Sequence, residues 1–216
     1  MILFGKPNGT LSAMEINEIR IHFVTLPFVE EFSHALTNGD SSRNVIVEVA
    51  AEQDGIVGYG EGAPRSYVTG ESQESIPESV KRFLERGSFP WSLQKVSQIW
   101  DFVEGIQEGK EHNSALCALE MAMLDAVAKS QSRPIIDYFA KDFVSKTVHY
   151  GVALPLASRK KIMASSIMAL RMGIRRVKLK MGADFAKNQE ALQAVHDVFG
   201  GDCDLKVDVN GAWNRE

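Results

Sequence analysis

The order of apolar and polar residues in the N-terminal part of the chain predicts an antiparallel sheet. Residues 14–25 alternate between apolar and polar side chains with one slip, and residues 44–51 are rich in β-branched side chains. The Gln-Asp-Gly sequence at 53–55 predicts a hairpin turn, because Asp and Gly tolerate the positive φ that a tight turn needs. Residues 56–61 are then the returning strand. We expect residues 26–43, between the first two strands, to form a long polar loop.

A second loop, residues 62–70, leads from this sheet into a helical region. Helices are predicted over residues 72–85, 92–106 and 115–129. The third is apolar nearly all round, which indicates burial, and Ser114 is its predicted N-cap. Pro134 is expected to start a short helical turn. Strands followed by helices indicate an α+β domain, which we assign to residues 1–146.

From residue 147 onward, strands and helices alternate, which predicts a second domain over residues 147–216 with a parallel sheet. The predicted strands cover residues 147–154, 174–181 and 203–209, with helices capped by Ser158 and Asp184 and ended by Gly173 and Gly200 between them. A doubly wound sheet and a (β/α)₈ barrel both fit this α/β alternation. Neither a GxGxxG nor a P-loop sequence follows a strand, which disfavours a nucleotide-binding sheet.

Charged residues occupy one face of the last two strands, and apolar residues occupy the other. Lys178 and Lys180 share a face because side chains alternate along a strand. Asp208 and Asn210 share the corresponding face of the next strand. In a doubly wound sheet a helix would cover these charges, at a cost of several kcal/mol for each unpaired ion. A barrel instead points them inward and places strand ends at the active-site mouth. The pattern therefore favours the start of a barrel.

Lysine and aspartate side chains at such strand ends suggest acid–base chemistry beside a metal. Two neighbouring lysines that are partly desolvated lower each other's pKa, so that one can act as a base. Asp208 on the next strand can hold a divalent cation such as Mg²⁺, which prefers oxygen ligands. Two simpler interpretations remain open: a solvated strand face for Lys178 and Lys180, and a turn cap without chemistry for Asp208.

Composition and charge limit the classes of partner that the protein is expected to bind. The 216 residues carry a net charge of -4, with 24 Lys and Arg spread along the chain, so a nucleic-acid partner is not expected. Cys117 and Cys203 belong to no CxxC pair, which fits a reducing compartment. No stretch approaches the roughly 20 apolar residues that span a bilayer. We therefore expect a cytoplasmic protein without a membrane partner.

Several segments together resemble one known family. VKLKMG at 177–182, followed by VDVNGAW at 207–213, resembles the KxK and DxN segments of the muconate lactonizing enzyme and mandelate racemase branch of the enolase superfamily. ALEMAMLDAVAK at 118–129 and VHYGVAL at 148–154 resemble that branch's entry into its barrel. GYGEGAPRSYVTGES at 58–72 is similar to its second capping loop, especially in dipeptide epimerases. The resemblance implies an N-terminal α+β capping domain followed by the first part of a (β/α)₈-type barrel.

The resemblance also implies roles for the strand-end residues. Lys180 becomes a proton-abstracting base and Lys178 its electrostatic partner. Asp208 becomes the first ligand of Mg²⁺, and Asn210 supports the metal site. Family members take two further acidic ligands and an opposing lysine from later strands. We therefore expect these residues to be part of a longer polypeptide, truncated within the barrel.

Two classes of function follow from this resemblance. The first is an isomerase that removes a proton next to a carboxylate to give an enediolate. A racemase or epimerase of an amino-acid or dipeptide-like substrate is the first choice, and an o-succinylbenzoate synthase-like dehydratase or a muconate cycloisomerase-like enzyme is the alternative. The second class is a non-catalytic fragment. For the full-length protein the resemblance implies a small-molecule carboxylate substrate and a homo-oligomer.

Overall fold

The computed structural model of the protein describes residues 13–34, 37–51, 55–140, 142 and 147–214. The chain divides into two compact units, one formed by Met1–Leu26 with Ser42–Phe143 and the other by Pro27–Ser41 with Val144–Glu216. The predicted domain boundary after residue 146 borders residues 143–146, which lie outside the described part, and it stays a prediction. No described helix has the length and apolar character needed to cross a membrane.

Two small sheets form the N-terminal part of the chain. Their strands are β1 (Met14–Glu15), β2 (Glu18–His34), β3 (Thr37–Ala51), β4 (Ile56–Gly62) and β5 (Ser92–Leu93). Strands β2, β3 and β4 make one sheet in that order, and β1 pairs with β5 in another. β3 and β4 are antiparallel with Ala51 opposite Ile56, which confirms the predicted hairpin. Gly55 has a φ of +63°, whereas Gln53 and Asp54 lie outside the described residues.

The predicted loop over residues 26–43 is wrong, because β2 and β3 continue through most of it. Phe23, Leu26 and Phe28 on β2 are all exposed. These three apolar side chains do not lie on a buried face, and alternation, the sequence signal for a strand, is weak there. The predicted strand over residues 14–25 is also interrupted, since Met14 pairs with Leu93 on β5 before β2 begins.

Three helices follow this sheet: α1 (Ile76–Leu84), α2 (Ser97–Glu104) and α3 (Asn113–Ser130). Helix α3 packs against β4, and α1 and α2 pack against α3. Short 3₁₀ turns cover Gln73–Ser75, Lys110–His112 and Ile135–Tyr138. The helix predicted from residue 92 begins instead at Ser97, because Ser92 and Leu93 form β5. Its start is fixed by Gln98, whose side-chain oxygen accepts the backbone N–H groups of Gln94 and Lys95 at 2.8 and 3.0 Å.

Ser114 is not the N-cap of α3. The helix begins at Asn113, and its N-cap is His112. The free N–H groups at this helix start are bound by the carboxylate of Glu71, which accepts from Ser114 at 2.9 and 3.0 Å and from Ala115 at 3.1 Å. Glu71 is only 1% exposed. A buried carboxylate at a helix N-terminus satisfies both the free donors and the positive end of the helix dipole.

Helix α3 lies unusually close to β4 because glycines face it. A Cβ atom added to Gly60 would lie 2.0 Å from the Ala118 carbonyl oxygen, and one added to Gly58 would lie 2.1 Å from that of Ala122. Only glycine permits such a close approach of strand and helix backbones. The contact buries the apolar face of α3, as its sequence predicts.

The second unit contains the predicted alternation of strands and helices. Its elements are β6 (Val152–Leu154), α4 (Arg159–Arg171), β7 (Arg176–Lys180), α5 (Phe185–Phe199) and β8 (Asp204–Asp208). The strands are parallel in the order β6-β7-β8. The N-caps Ser158 and Asp184 are confirmed, as is Gly200, which ends α5 with a φ of +60°. β6 is shorter than predicted, since residues 147–151 lie outside the strand.

Helices α4 and α5 cover the apolar face of the sheet. Buried residues of both helices pack with Leu154, Val177, Leu179 and Met181. On β8, by contrast, the apolar side chains Leu205 and Val207 are 37% and 49% exposed. The opposite face of the sheet carries the charged residues that the alternation predicts.

Candidate active site

The candidate site lies at the carboxyl ends of β7 and β8. In the parallel register Lys180 is opposite Asp208, and Lys178 is opposite Lys206. Lys180 is the last residue of β7 and Asp208 the last of β8, so their side chains project from the same edge of the sheet. The alternation along each strand puts them on the face opposite the core residues Val177 and Leu179.

All four residues singled out in the sequence come together at this edge. The Lys180 ammonium donates to Asp208 Oδ2 at 2.7 Å and to Asn210 Oδ1 at 2.9 Å. Lys178 Nζ lies 3.9 Å from the same Asp208 oxygen. The two lysines differ in environment, since the side chain of Lys180 is 13% exposed and that of Lys178 is 53% exposed. Lys180 is therefore held in one place, whereas Lys178 stands at the solvent side of the pair.

Asp208 divides its two oxygens between the lysine and the turn that follows β8. Oδ2 binds Lys180, and Oδ1 accepts the backbone N–H of Asn210 at 3.1 Å. The hydrogen bond from Lys180, with that of the Asn210 N–H second, lowers the pKa of Asp208 below its ordinary value of 3.8. Turn capping, the simpler interpretation of Asp208, is thus present, but it uses only one oxygen.

Asn210 reaches Lys180 because the chain turns sharply after β8. Its φ is +46°, in the left-handed region, and Gly211 continues the turn with a φ of +76°. Asn and Gly are the residues that accept this conformation most readily. The turn closes with a hydrogen bond from the Ala212 N–H to the Val209 carbonyl at 2.9 Å. The Asn-Gly pair in the sequence therefore places an amide oxygen on the lysine.

A cavity of about 610 Å³ opens beside Lys180, between the loop that joins β6 to α4 and the loop that joins β7 to α5. Pro155 and Leu156 form part of its apolar wall. The charged lining includes Arg159, which pairs with Asp197, and Lys187, which pairs with Asp184. The sequence analysis missed Arg159 and Lys187. Their signal is positional, since each lies in the first turn of the helix that follows a barrel strand.

The oxygen atoms at this edge suit a hard cation but make only part of a ligand set. A carboxylate oxygen has more than one lone pair, so the contacts of Asp208 leave it room to bind a metal. Asn210 adds an amide oxygen. Mg²⁺ takes six oxygen ligands, several of them water, and is usually held by one or two carboxylates. Within the described residues, three His, Cys, Asp or Glu side chains nowhere come together at metal-binding distance. Asp208 therefore fits as one ligand of a larger set.

Comparison with known proteins identifies related sequences along most of the chain. Residues 18–139 match the family described as mandelate racemase / muconate lactonizing enzyme, N-terminal domain. The aromatic dipeptide epimerase of Herpetosiphon aurantiacus is 29% identical over 203 residues, which cover 89% of this chain and 55% of that protein. The chain spans about half the length of the curated relatives it matches.

Solved structures agree with this relationship. The L-Ala-D/L-Glu epimerase of Bacillus subtilis, in a substrate-liganded complex, superposes with a TM-score of 0.77 at 25% identity, over 93% of this chain and 55% of that one. A dipeptide epimerase of Enterococcus faecalis, complexed with Mg and the dipeptide L-Leu-L-Tyr, superposes with a TM-score of 0.77 at 22% identity over the same shares of the two chains. At that identity the second comparison speaks for the fold alone.

Proposed function

This chain belongs to the mandelate racemase / muconate lactonizing enzyme family of the enolase superfamily, and we propose that in its complete form it is a divalent-metal-dependent racemase or epimerase. Its fold is a β-rich N-terminal capping region followed by the start of a (β/α)₈-type barrel, as the sequence predicted. The proposed reaction removes the proton next to a carboxylate of an amino-acid or dipeptide-like substrate and gives an enediolate.

One observation carries this proposal: Lys180 meets Asp208 and Asn210 at the carboxyl ends of neighbouring parallel strands. Catalytic groups of barrel enzymes lie at this end of the strands. A lysine there can take a proton when its amine is neutral, and the contacts with Asp208 and Asn210 fix the direction of its nitrogen. Lys178, nearer the solvent, adds positive charge beside the anion that forms.

The donor set supports a role for Asp208 toward a divalent cation. Asp208 would be one of its ligands, with Asn210 beside it. When bound, Mg²⁺ would supply positive charge to the substrate carboxylate. The choice of Mg²⁺ rests on this set of oxygen donors, which is the kind that Mg²⁺ prefers.

The substrate class rests on the relatives. The curated relatives include epimerases of hydrophobic, aromatic and L-Ala-D/L-Glu dipeptides and a racemase of N-succinyl-L-Arg/Lys. What these proteins share is a substrate whose reacting carbon stands next to a carbonyl or carboxylate group. We therefore place the substrate of this protein among dipeptides and N-acylated amino acids.

The test is incorporation of solvent deuterium. The complete enzyme that carries this sequence is incubated in D₂O with Mg²⁺ and a panel of L,L-dipeptides and N-succinyl amino acids, and each substrate is followed by proton NMR. We expect loss of one α-proton signal together with formation of the second stereoisomer. Loss of water or ring closure in place of stereoisomer formation would assign the protein to the dehydratases or cycloisomerases. A panel without any exchange would contradict the proposal.

A further inference from the structure

The peptide group of Gly182, two residues beyond Lys180, is bound by side chains from two other parts of the second unit. Its N–H donates to Asn188 Oδ1 at 3.0 Å, and its carbonyl accepts from Asn188 Nδ2 at 2.8 Å. The same carbonyl accepts from Trp213 Nε1 at 2.8 Å. Gly182 lacks a side chain, so these three bonds act on the backbone alone.

The Asn188 side chain binds both the N–H and the carbonyl of Gly182, as the backbone of a neighbouring strand does in a sheet. It is 5% exposed and lies in the first turns of α5, where its own N–H donates to the Asp184 carbonyl at 3.0 Å. Because the amide is buried, water cannot easily replace either bond if one is lost. The side chain therefore extends the hydrogen bonding of β7 beyond Lys180, at the point where the regular strand ends.

Trp213 ties the turn after β8 to the same carbonyl. Its ring stacks on Phe185 with centroids 5.3 Å apart and planes inclined by 21°. Trp213 follows the turn that carries Asn210, and Phe185 is the first residue of α5. One carbonyl oxygen thus receives a donor from α5 and another from the segment that presents the partners of Lys180.

The peptide between these anchors and the lysine is fixed as well. The Met181 N–H donates to the Asp208 carbonyl at 3.0 Å, and the Met181 side chain is buried in the core of the second unit. Lys180 is therefore followed by two anchored residues, Met181, which is held by Asp208, and Gly182, which is held by Asn188 and Trp213. A shift of Gly182 would move the lysine relative to its two acceptors.

We propose that Asn188 and Trp213 are positioning residues that set the Lys180 ammonium against Asp208 and Asn210 through the Gly182 peptide. The catalytic meaning of this placement rests on the proposed function, but the placement itself does not. Both residues act at a distance from the reacting atoms, so their effect is on the geometry and exposure of Lys180.

Competitive labelling of lysines by acetyl N-hydroxysuccinimide, read by peptide mass spectrometry, measures this placement directly in the chain of 216 residues. Asn188→Asp keeps an acceptor for the Gly182 N–H and replaces the donor by a charge that repels the carbonyl. Trp213→Phe keeps an aromatic ring beside Phe185 and removes the Nε1 donor together with part of the ring surface. Gln189→Glu, an exposed amide-to-acid change next to Asn188 on the same helix, is the matched control.

We expect the labelling rate of Lys180 to rise roughly fivefold in Asn188→Asp and by a similar or smaller factor in Trp213→Phe, as the loss of one hydrogen bond would give. Lys178 and the exposed Lys160 should keep their rates in both variants, and Gln189→Glu should change none of the three. Equal Lys180 labelling in all proteins would overturn the proposal. So would a rise shared by Lys178 and Lys160, which would mean general loosening of the unit.

If one of the two variants fails to fold, the labelling of Lys180 in the other still tests the proposal. Trp213 is partly exposed, and its substitution leaves the core of the second unit intact. The outcome also separates this inference from the proposed function. A selective change in Lys180 labelling, together with a complete enzyme that exchanges no α-proton, would sustain the positioning role and reject the reaction.

Discussion

Lys180 and Asp208 hold paired positions on neighbouring parallel strands, and their charged groups meet at 2.7 Å. The same carboxylate accepts the Asn210 N–H and so stabilises the turn that brings the Asn210 amide oxygen to the lysine. Asp208 thus joins the strand pair and the turn in one small network. A substitution of Asp208 therefore removes contacts of both the lysine and the turn.

The ionised form of Asp208 should stabilise the second unit. Because its pKa in the folded protein lies below the ordinary value of 3.8, this contribution is present above that pH and is lost as the pH falls through the lowered pKa. We expect Asp208→Asn to be less stable than the unchanged protein at pH 7. The difference between the two should shrink at pH 3. Urea unfolding followed by circular dichroism at both pH values measures this.

Asp204→Asn removes one negative charge from the other end of the same strand and controls for net charge. An equal effect of the two substitutions at pH 7 would show that the contact with Lys180 contributes nothing of its own. A difference that stays constant from pH 7 to pH 3 would contradict the assignment of the effect to the Asp208 carboxylate.

Asp208 should also govern metal affinity in the complete enzyme. An amide oxygen is a weaker ligand for Mg²⁺ than a carboxylate, so Asp208→Asn should weaken Mg²⁺ binding by at least about tenfold and lower activity with it. Isothermal calorimetry with MgCl₂ gives the affinity. If the affinity were unchanged, Asp208 would have to be removed from the ligand set.

Glu71 should matter for the first unit, since its buried carboxylate accepts the free N–H groups at the start of α3. Glu71→Gln replaces one acceptor by an NH₂ group that faces those donors. We expect a loss of about 2–3 kcal/mol in the free energy of unfolding, the value of hydrogen bonds to a charged group. Glu78→Gln, at an exposed position on α1, should stay within about 0.5 kcal/mol of the unchanged protein. Similar losses in the two variants would argue against the cap.

The close approach of α3 and β4 predicts a severe effect of a single methyl group. In Gly60→Ala the new Cβ would lie 2.0 Å from the Ala118 carbonyl oxygen and 2.6 Å from the Ala122 nitrogen. Backbone atoms cannot rotate away, so we expect a loss of about 3 kcal/mol or more. Gly87→Ala is the control, because nothing lies within 4 Å of its new Cβ. A Gly60→Ala protein as stable as Gly87→Ala would contradict this packing.

The site was predictable from the sequence because its geometry follows from local rules. Alternation along β7 places Lys178 and Lys180 on one face, and the parallel order of β7 and β8 brings Asp208 beside them. Their contact is visible in the structure, whereas their roles in catalysis and metal binding stay predictions. The sequence analysis did not predict the turn that bends Asn210 back toward the lysine, although an Asn-Gly pair is a turn signal.

The errors arise where distant parts of the chain decide the local structure. Serine is a common N-cap residue, which is why the sequence predicts Ser114 as one. The N–H groups at the start of α3 are instead bound by Glu71, 43 positions earlier in the chain. Ser92 and Leu93 continue a helical pattern, yet they pair with β1. The loop assigned to residues 26–43 is mostly strand, because β2 continues as a neighbour of β3 past Leu26 and Phe28, whose side chains are exposed. Periodicity of apolar residues indicates an element with one buried face, so it does not indicate a strand whose apolar side chains are exposed.

If Lys180 is the base, solvent exchange of the substrate α-proton in the complete enzyme depends on its amine. Lys180→Ala is compared with Lys160→Ala, a substitution of an exposed lysine on α4, in D₂O with Mg²⁺ and a substrate of each configuration. We expect Lys180→Ala to lose exchange from one face of the substrate by a factor of about 10² or more, while Lys160→Ala exchanges at the original rate. Exchange by Lys180→Ala at near the original rate with both stereoisomers would show that another group is the base.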